Sequence, residues 1–148
     1  MEVWKAMEAI FDAGGAKQLG ISNSYELEQL EHLYRKANIK PAVVQNRFYA
    51  ETRYDREIRG FCRQRQILYQ SFWTLTANPK VLAHKTLQAI ASRYALTPAQ
   101  VFFCYLTQID IIPLTLTGTT VEAHMREDLA IFEFSLTKNE RDAVTALL

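Results

Sequence analysis

Ser22 and Asn23 stand side by side where a short apolar run gives way to a helical pattern. A hydroxyl beside a carboxamide offers a donor and an acceptor together, which is what a ligand amide needs. The same pair, followed by Ser24, is also an ordinary helix cap, and the residues alone leave both roles open. Gln45 closes the run Ala42-Val43-Val44. A buried glutamine without partners there costs about 1–3 kcal/mol, so it bonds neighbouring backbone or a ligand. Phe72 and Trp73 end a third apolar run, where a π face either stacks on a planar ring or fills the core. Gly118-Thr119-Thr120 precedes a further helical pattern, a setting in which backbone N–H groups take phosphate. His124 follows on that helix, mostly neutral at pH 7 and equally a solvated helix residue or a ligand contact.

Other chemistry is disfavoured by spacing. Cys62 and Cys104 are too far apart in sequence for a metal knuckle or a redox pair. His32 and His84 have no carboxylate or cysteine at metal-ligand spacing and read as surface or packing residues. Tyr49, Tyr54 and Tyr69 lack the setting expected of a catalytic acid. Gly14-Gly15 lacks the G-x-G-x-x-G spacing of a dinucleotide loop and reads as a helix stop.

The elements that must position these residues alternate. The chain has 148 residues, 49% hydrophobic and 22% charged, with formal net charge +1, as for a globular domain with a real core. Its Lys and Arg are scattered, which argues against nucleic acid and anionic membrane as partners. No apolar run approaches the roughly 20 residues that span a bilayer, and no cleavable signal is legible, so a reducing, cytoplasmic setting is expected. Helices are expected over 1–13, with Val3, Met7, Ile10 and Phe11 on one face, and from Ser22-Asn23-Ser24 onward, with Leu27, Leu30 and Tyr34 on one face. Further helices are expected over 54–65 and 80–94, from Thr97, from Gly118 through His124 and Leu129, and from Thr137. Thr97-Pro98-Ala99-Gln100 and Thr137-Lys138-Asn139-Glu140 are capping boxes. Strands are expected over 16–21, 41–45, 67–72 and 109–116. No low-complexity linker interrupts the series, and no domain boundary is expected. Four short strands alternating with helices predict an α/β fold of parallel βαβ units, open or closed into a barrel.

The residues also resemble a family. Lys17-Gln18-Leu19-Gly20-Ile21-Ser22-Asn23 is similar to the strand and turn of aldo-keto reductases that end in G-[IV]-S-N. Pro41-Ala42-Val43-Val44-Gln45-Asn46 resembles their P-x-x-x-Q strand, and Thr97-Pro98-Ala99-Gln100-Val101 their following helix start. Phe134-Ser135-Leu136-Thr137 with Glu140 resembles their F-x-L-[ST]-x-x-E ending. The match covers nearly the whole chain, 1–148, in order. It implies the C-terminal half of a (β/α)8 TIM barrel: four parallel strands, the fifth to eighth of the barrel, with surrounding helices. The family's acid-base tetrad of Asp, Tyr, Lys and His lies on earlier strands, so the resemblance assigns no catalytic residue here.

It does assign cofactor contacts, to NADP or NAD. Ser22, Asn23 and Gln45 match the partners of the nicotinamide carboxamide, and Phe72 the ring that stacks on the nicotinamide, with Phe in place of the usual Tyr. Trp73, Thr74 and Leu75 match the loop along the pyrophosphate. Gly118 and Thr119 stand where the family has K-S, His124 where it has Arg, and Glu127-Asp128 where it has the E-N that contacts adenine. A 2′-phosphate favours Lys or Arg, so weakened NADP selectivity and weak dinucleotide binding are expected, unless Arg126 takes the phosphate. The resemblance thus implies an NAD(P)H-dependent carbonyl/alcohol oxidoreductase fragment, inactive alone and acting on a small carbonyl compound only if the missing half is supplied. The alternatives are a non-catalytic half-barrel that self-associates through open strand edges, or an excerpt without function of its own.

Overall fold

The computed structural model of the chain describes residues 1–114 and 121–148. Four parallel strands, β1 (Gly20–Ser22), β2 (Val43–Arg47), β3 (Leu68–Phe72) and β4 (Ile111–Pro113), form one sheet in that order. Among the described residues the α-helices are α1 (Glu2–Asp12), α2 (Leu27–Lys36), α3 (Arg56–Arg65), α4 (Pro79–Leu82), α5 (Lys85–Tyr94), α6 (Pro98–Thr107), α7 (Glu122–Leu129) and α8 (Lys138–Thr145). Among these residues no helix is long and apolar enough to cross a membrane.

The chain divides into two compact units. The first comprises residues 1–46 and 55–70. In it α1 ends at the two glycines: Gly14 takes φ 78°, and the Gly14 and Gly15 amides donate to Phe11 and Ile10 carbonyls. The buried face of α1 is the expected one in part: Met7 and Phe11 pack against the core. Trp4 and Glu8 are buried, whereas Val3 and Ile10 are exposed. Trp4 packs with Leu19, Leu33 and Ala37, and its Nε1 donates to the Ile39 carbonyl at 3.1 Å. Glu8 is stable inside because its Oε1 accepts from the Asn38 and Ile39 amides at 2.7 and 2.9 Å. Strand β1 is shorter than 16–21 and ends one residue later, pairing in parallel as Gly20 with Val43, Ile21 with Val44 and Ser22 with Gln45. The approach is close at Gly20, where a Cβ would meet the Val43 carbonyl oxygen at 3.0 Å. Helix α2 buries Leu30 and Leu33, and Tyr34 meets Phe61 of α3 edge-on at 5.5 Å.

The second unit comprises residues 47–54 and 71–148. Its centre is α6, buried from Gln100 to Leu106, which begins with the expected Thr97–Gln100 capping box. Phe102 lies 6.4 Å from Phe48 and stacks on Tyr105 at 6.2 Å. The expected helix over 80–94 is two helices. The break falls at His84, whose Nδ1 accepts from the Thr86 amide and so caps α5, a local capping role that the sequence reading did not give it. The Thr137–Glu140 capping box starts α8 as expected. Strand β4 (Ile111–Pro113) begins two residues later than expected; residues 115 and 116 of the expected 109–116, with Gly118 and Thr119, lie outside the described residues.

Candidate functional site

Within the first unit the structure gathers Ser22, Asn23 and Gln45. β1 ends at Ser22, whose register partner is Gln45, and one further ladder bond runs from the Asn23 amide to the Gln45 carbonyl at 3.0 Å. Asn23 then turns the chain out of the sheet with φ 56°, a left-handed conformation that Asn adopts more readily than most residues. This corrects the capping role left open by sequence. Helix α2 begins only at Leu27, its N-cap is Glu26, and no side chain caps it. The left-handed turn carries Asn23 away from the first helical amides. Its side chain instead donates from Nδ2 to Ser22 Oγ at 3.2 Å and accepts at Oδ1 from the Tyr25 hydroxyl at 3.2 Å.

Ser22 and Asn23 are exposed, and their polar atoms form a donor–acceptor surface at the strand end. Gln45 is half-buried and is oriented by donation from Nε2 to Gln70 Oε1 at 2.9 Å. Tyr25 and Gln70 are additions that sequence reasoning missed. Gln70 is revealed only by tertiary pairing, and Tyr25, two residues from Asn23, belongs to no local motif.

Within the second unit, Trp73, Leu75, His124 and Asp128 share the wall of a cavity of about 650 Å³. Pro98, Ala99 and Phe103 of α6 give it an apolar side, and Thr74, Thr76, Gln88 and Thr97 add neutral polar groups. Phe72, at the end of β3, is not among the lining residues, but the next residue, Trp73, takes φ 55° and is. Trp73 is held from outside by Arg47, whose guanidinium carbon lies 4.0 Å from the ring centroid. Thr74 is buried and shares a 2.9 Å hydrogen bond with Ser71 Oγ, and Asn78 Nδ2 donates to the carbonyls of Phe48 and Thr74 at 2.7 and 2.8 Å. The loop that carries Trp73 and Leu75 is thereby tied down by buried polar groups.

The charge of the cavity is unusual for a phosphate site. Its described lining includes His124, Glu127 and Asp128 and no Lys or Arg. Burial, and then the charge of Glu127, push the Asp128 carboxyl above its ordinary value, with His124 acting in the opposite sense. Arg126 does not line the cavity. It lies on the exposed side of α7, where its Nε and Nη2 donate to Glu122 Oε1 at 3.0 and 2.5 Å, so the suggestion that it takes a phosphate is not supported. Among the described residues no group of His, Cys, Asp and Glu is arranged to hold a metal ion.

Comparison with known proteins gives one answer. The sequence profile of the aldo/keto reductase family matches residues 1–148. An oxidoreductase of Bacillus subtilis named YtbE is 31% identical over 146 residues, covering 99% of this chain and 50% of that protein. Glyoxal reductase of the same organism is 27% identical over 146 residues, covering 99% of this chain and 51% of the relative. A crystal structure of an aldo/keto reductase from Brucella melitensis superposes with a TM-score of 0.85 at 26% identity, over 99% of this chain and 55% of that one. The chain spans about half the length of the curated relatives it matches. Its four strands and their helices therefore correspond to half of a (β/α)8 barrel. The chain belongs to the aldo/keto reductase family.

Proposed function

We propose that this chain supplies the dinucleotide-holding part of an NAD(P)H-dependent carbonyl/alcohol oxidoreductase, and that it favours the cofactor without a 2′-phosphate. The observation that carries the reading is the cavity wall of His124, Glu127 and Asp128: among the described lining residues carboxylates stand and no Lys or Arg does. The segment 115–120, Thr-Leu-Thr-Gly-Thr-Thr, contains no Lys or Arg either. A ribose 2′-hydroxyl donates to a carboxylate, whereas a 2′-phosphate is repelled by it and favours Arg or Lys.

On this reading the resemblance to the family assigns Ser22, Asn23 and Gln45 of the first unit to the nicotinamide carboxamide. In the second unit it assigns Phe72 to the nicotinamide ring, Trp73 and Leu75 to the pyrophosphate, and His124 and Asp128 to the adenosine end; Gly118 and Thr119, assigned to phosphate, lie outside the described residues. The bound dinucleotide supplies the hydride. The residues of this chain bind and orient it. Tyr69 and Tyr54 are poor proton donors for the carbonyl oxygen. Burial, then Asp55, holds the Tyr69 hydroxyl above its ordinary pKa, and burial, then Glu51, does the same to Tyr54.

Fluorescence titration tests this, since Trp73 lines the cavity and the other tryptophan, Trp4, is buried in the first unit. Saturable quenching by NADH, with NADPH no tighter, is the expected result, together with no oxidation of either by an aromatic aldehyde. An absence of saturable quenching by both cofactors overturns the proposal, as does NADPH binding ten-fold or more tighter than NADH.

A further inference from the structure

We infer that Asn46, Asp55 and Tyr69 form a buried positioning relay that fixes the Ser22–Asn23 turn, and with it the donor–acceptor pair that the turn presents. The assignment of a ligand carboxamide to that pair rests on the function proposed above; the relay itself rests on geometry. All of these residues belong to the first unit.

The ladder between β1 and β2 runs out at Asn23, whose amide makes its last backbone bond to Gln45. At that point a side chain takes over. Asn46 is fully buried; its Oδ1 accepts from the Ser24 amide at 2.9 Å, and its Nδ2 donates to the Ser24 carbonyl at 2.6 Å. The carboxamide of Asn46 thus grips both backbone groups of Ser24, as a strand neighbour would, one residue past the left-handed Asn23. Burial alternates along β2, with Gln45 half-buried and Asn46 buried, so the two point to opposite sides of the strand. The turn is therefore held from one side by the Gln45 backbone and from the other by the Asn46 side chain.

Asn46 is itself held. Its second N–H donates to Asp55 Oδ2 at 2.6 Å, and the same oxygen accepts from the Tyr69 hydroxyl at 2.9 Å. Asp55 and Tyr69 are buried, with 3% and 2% exposure. A buried carboxylate demands donors, and the carboxamide and the phenol supply them. The arrangement also removes an ambiguity. If the Asn46 amide were reversed, its oxygen would face both the Asp55 carboxylate and the Ser24 carbonyl, so only one orientation satisfies every group. Burial and the Asp55 charge keep the Tyr69 hydroxyl protonated, so it stays a donor across the working pH range. Tyr69 and Asp55 touch nothing in the Ser22–Asn23 pair; they act through Asn46.

The test uses the 148-residue chain and Tyr69→Phe, which removes one oxygen and leaves the ring packing. Asn46→Ala is the stronger variant, and Tyr69→Phe carries the test if that variant does not fold. Two readouts are taken: amide exchange at Ser24 by NMR, and calorimetric titration with NADH and with ADP-ribose, which lacks the nicotinamide. Loss of one buried hydrogen bond to a carboxylate is expected to speed Ser24 exchange by about ten-fold, with amides in α1 unchanged. It is expected to weaken NADH by roughly five-fold and leave ADP-ribose unaltered. Equal weakening of both ligands, faster exchange throughout the unit, or unchanged exchange at Ser24 overturns the relay. If the unaltered chain binds neither ligand, the dinucleotide reading falls. The relay is then decided by exchange alone: acceleration confined to the turn supports it, and any other pattern overturns it.

Discussion

Arg93, in the last turn of α5, donates through Nη1 to Oε1 of Glu140, in the first turn of α8, at 2.6 Å. The other carboxylate oxygen accepts from the Thr137 amide and hydroxyl at 2.9 and 2.8 Å and from the Tyr94 hydroxyl at 2.9 Å. One carboxylate therefore closes a capping box and docks one helix on another. The Arg93 side chain is 66% exposed against 7% for Glu140, so the ion pair itself contributes less than about 1 kcal/mol. The cap contributes about 1 kcal/mol, and donors left without a partner add to the loss. Glu140→Ala is expected to cost about 2–3 kcal/mol, Glu140→Gln about 1 kcal/mol, and Arg93→Ala less than either, measured by denaturant unfolding. An Arg93→Ala loss as large as that of Glu140→Ala would contradict this division.

The same carboxylate has a pH signature. Burial acts to raise its pKa, but the Thr137 backbone and side-chain hydrogen bonds, with those of Tyr94 and the charge of Arg93, outweigh burial and bring it below the ordinary 4.5. A carboxyl whose folded pKa is lowered stabilises the fold fully above its unfolded pKa and loses that contribution as pH falls through the folded value. The melting temperature difference between the unaltered chain and Glu140→Gln is therefore expected to be constant near neutrality and to shrink below pH 4.5. A difference that grows on acidification would reverse the assignment.

How much of this was legible beforehand depends on whether the signal was local. Thr97–Gln100 and Thr137–Glu140 are four-residue patterns whose partners sit within one turn, and both formed as read. The alternation of strands and helices was equally readable, because period and turn chemistry are local. What failed was tertiary at Glu8 and an uncommon local cap at His84. Glu8 is buried in place of Val3 and Ile10 because two backbone amides, some thirty residues away, supply its hydrogen bonds. The break at His84 was hidden because the helical pattern runs through it and histidine is an uncommon cap. At the candidate site, Ser22, Asn23 and Gln45 were found from motif resemblance and are brought together by the strand register. Gln70 and the buried Asn46 were not found, since their partners lie elsewhere in the chain, and Tyr25 was not found because its bond to Asn23 depends on the left-handed turn between them.

Both cysteines are expected to be silent toward thiol reagents in the native chain. Cys62 and Cys104 are each 1% exposed. Burial, and then the charge of Asp55, push the Cys62 thiol up to about 12, and burial raises Cys104. Disulfide-exchange labelling at pH 8 should find no reactive thiol until denaturant is added, and then both. Rapid native labelling of Cys62 would show that its pocket opens.

Cofactor choice should respond to one residue. His124→Arg places a fixed cation on the cavity wall beside Glu127 and Asp128. The ratio of NADPH to NADH affinity is expected to rise by about ten-fold, through the charge-assisted, bidentate bonds that a guanidinium makes to phosphate. A ratio that does not change would remove this wall from the account of cofactor selectivity.

Strands β1 and β3 each release the chain through a left-handed residue, Asn23 at φ 56° and Trp73 at φ 55°. Such backbone costs roughly 1–2 kcal/mol for most side chains. Asparagine lessens that penalty through its own short polar side chain, so position 23 resists replacement for reasons of main-chain shape. Tryptophan has no such relief; its carbonyl accepts from the Ala77 amide at 2.8 Å and the Arg47 guanidinium lies across its ring. Two bends of the same hand thus rest on different supports: one on the short polar side chain at the bend itself, the other on a nearby backbone bond and a cation three-dimensionally adjacent but twenty-six residues earlier in the chain.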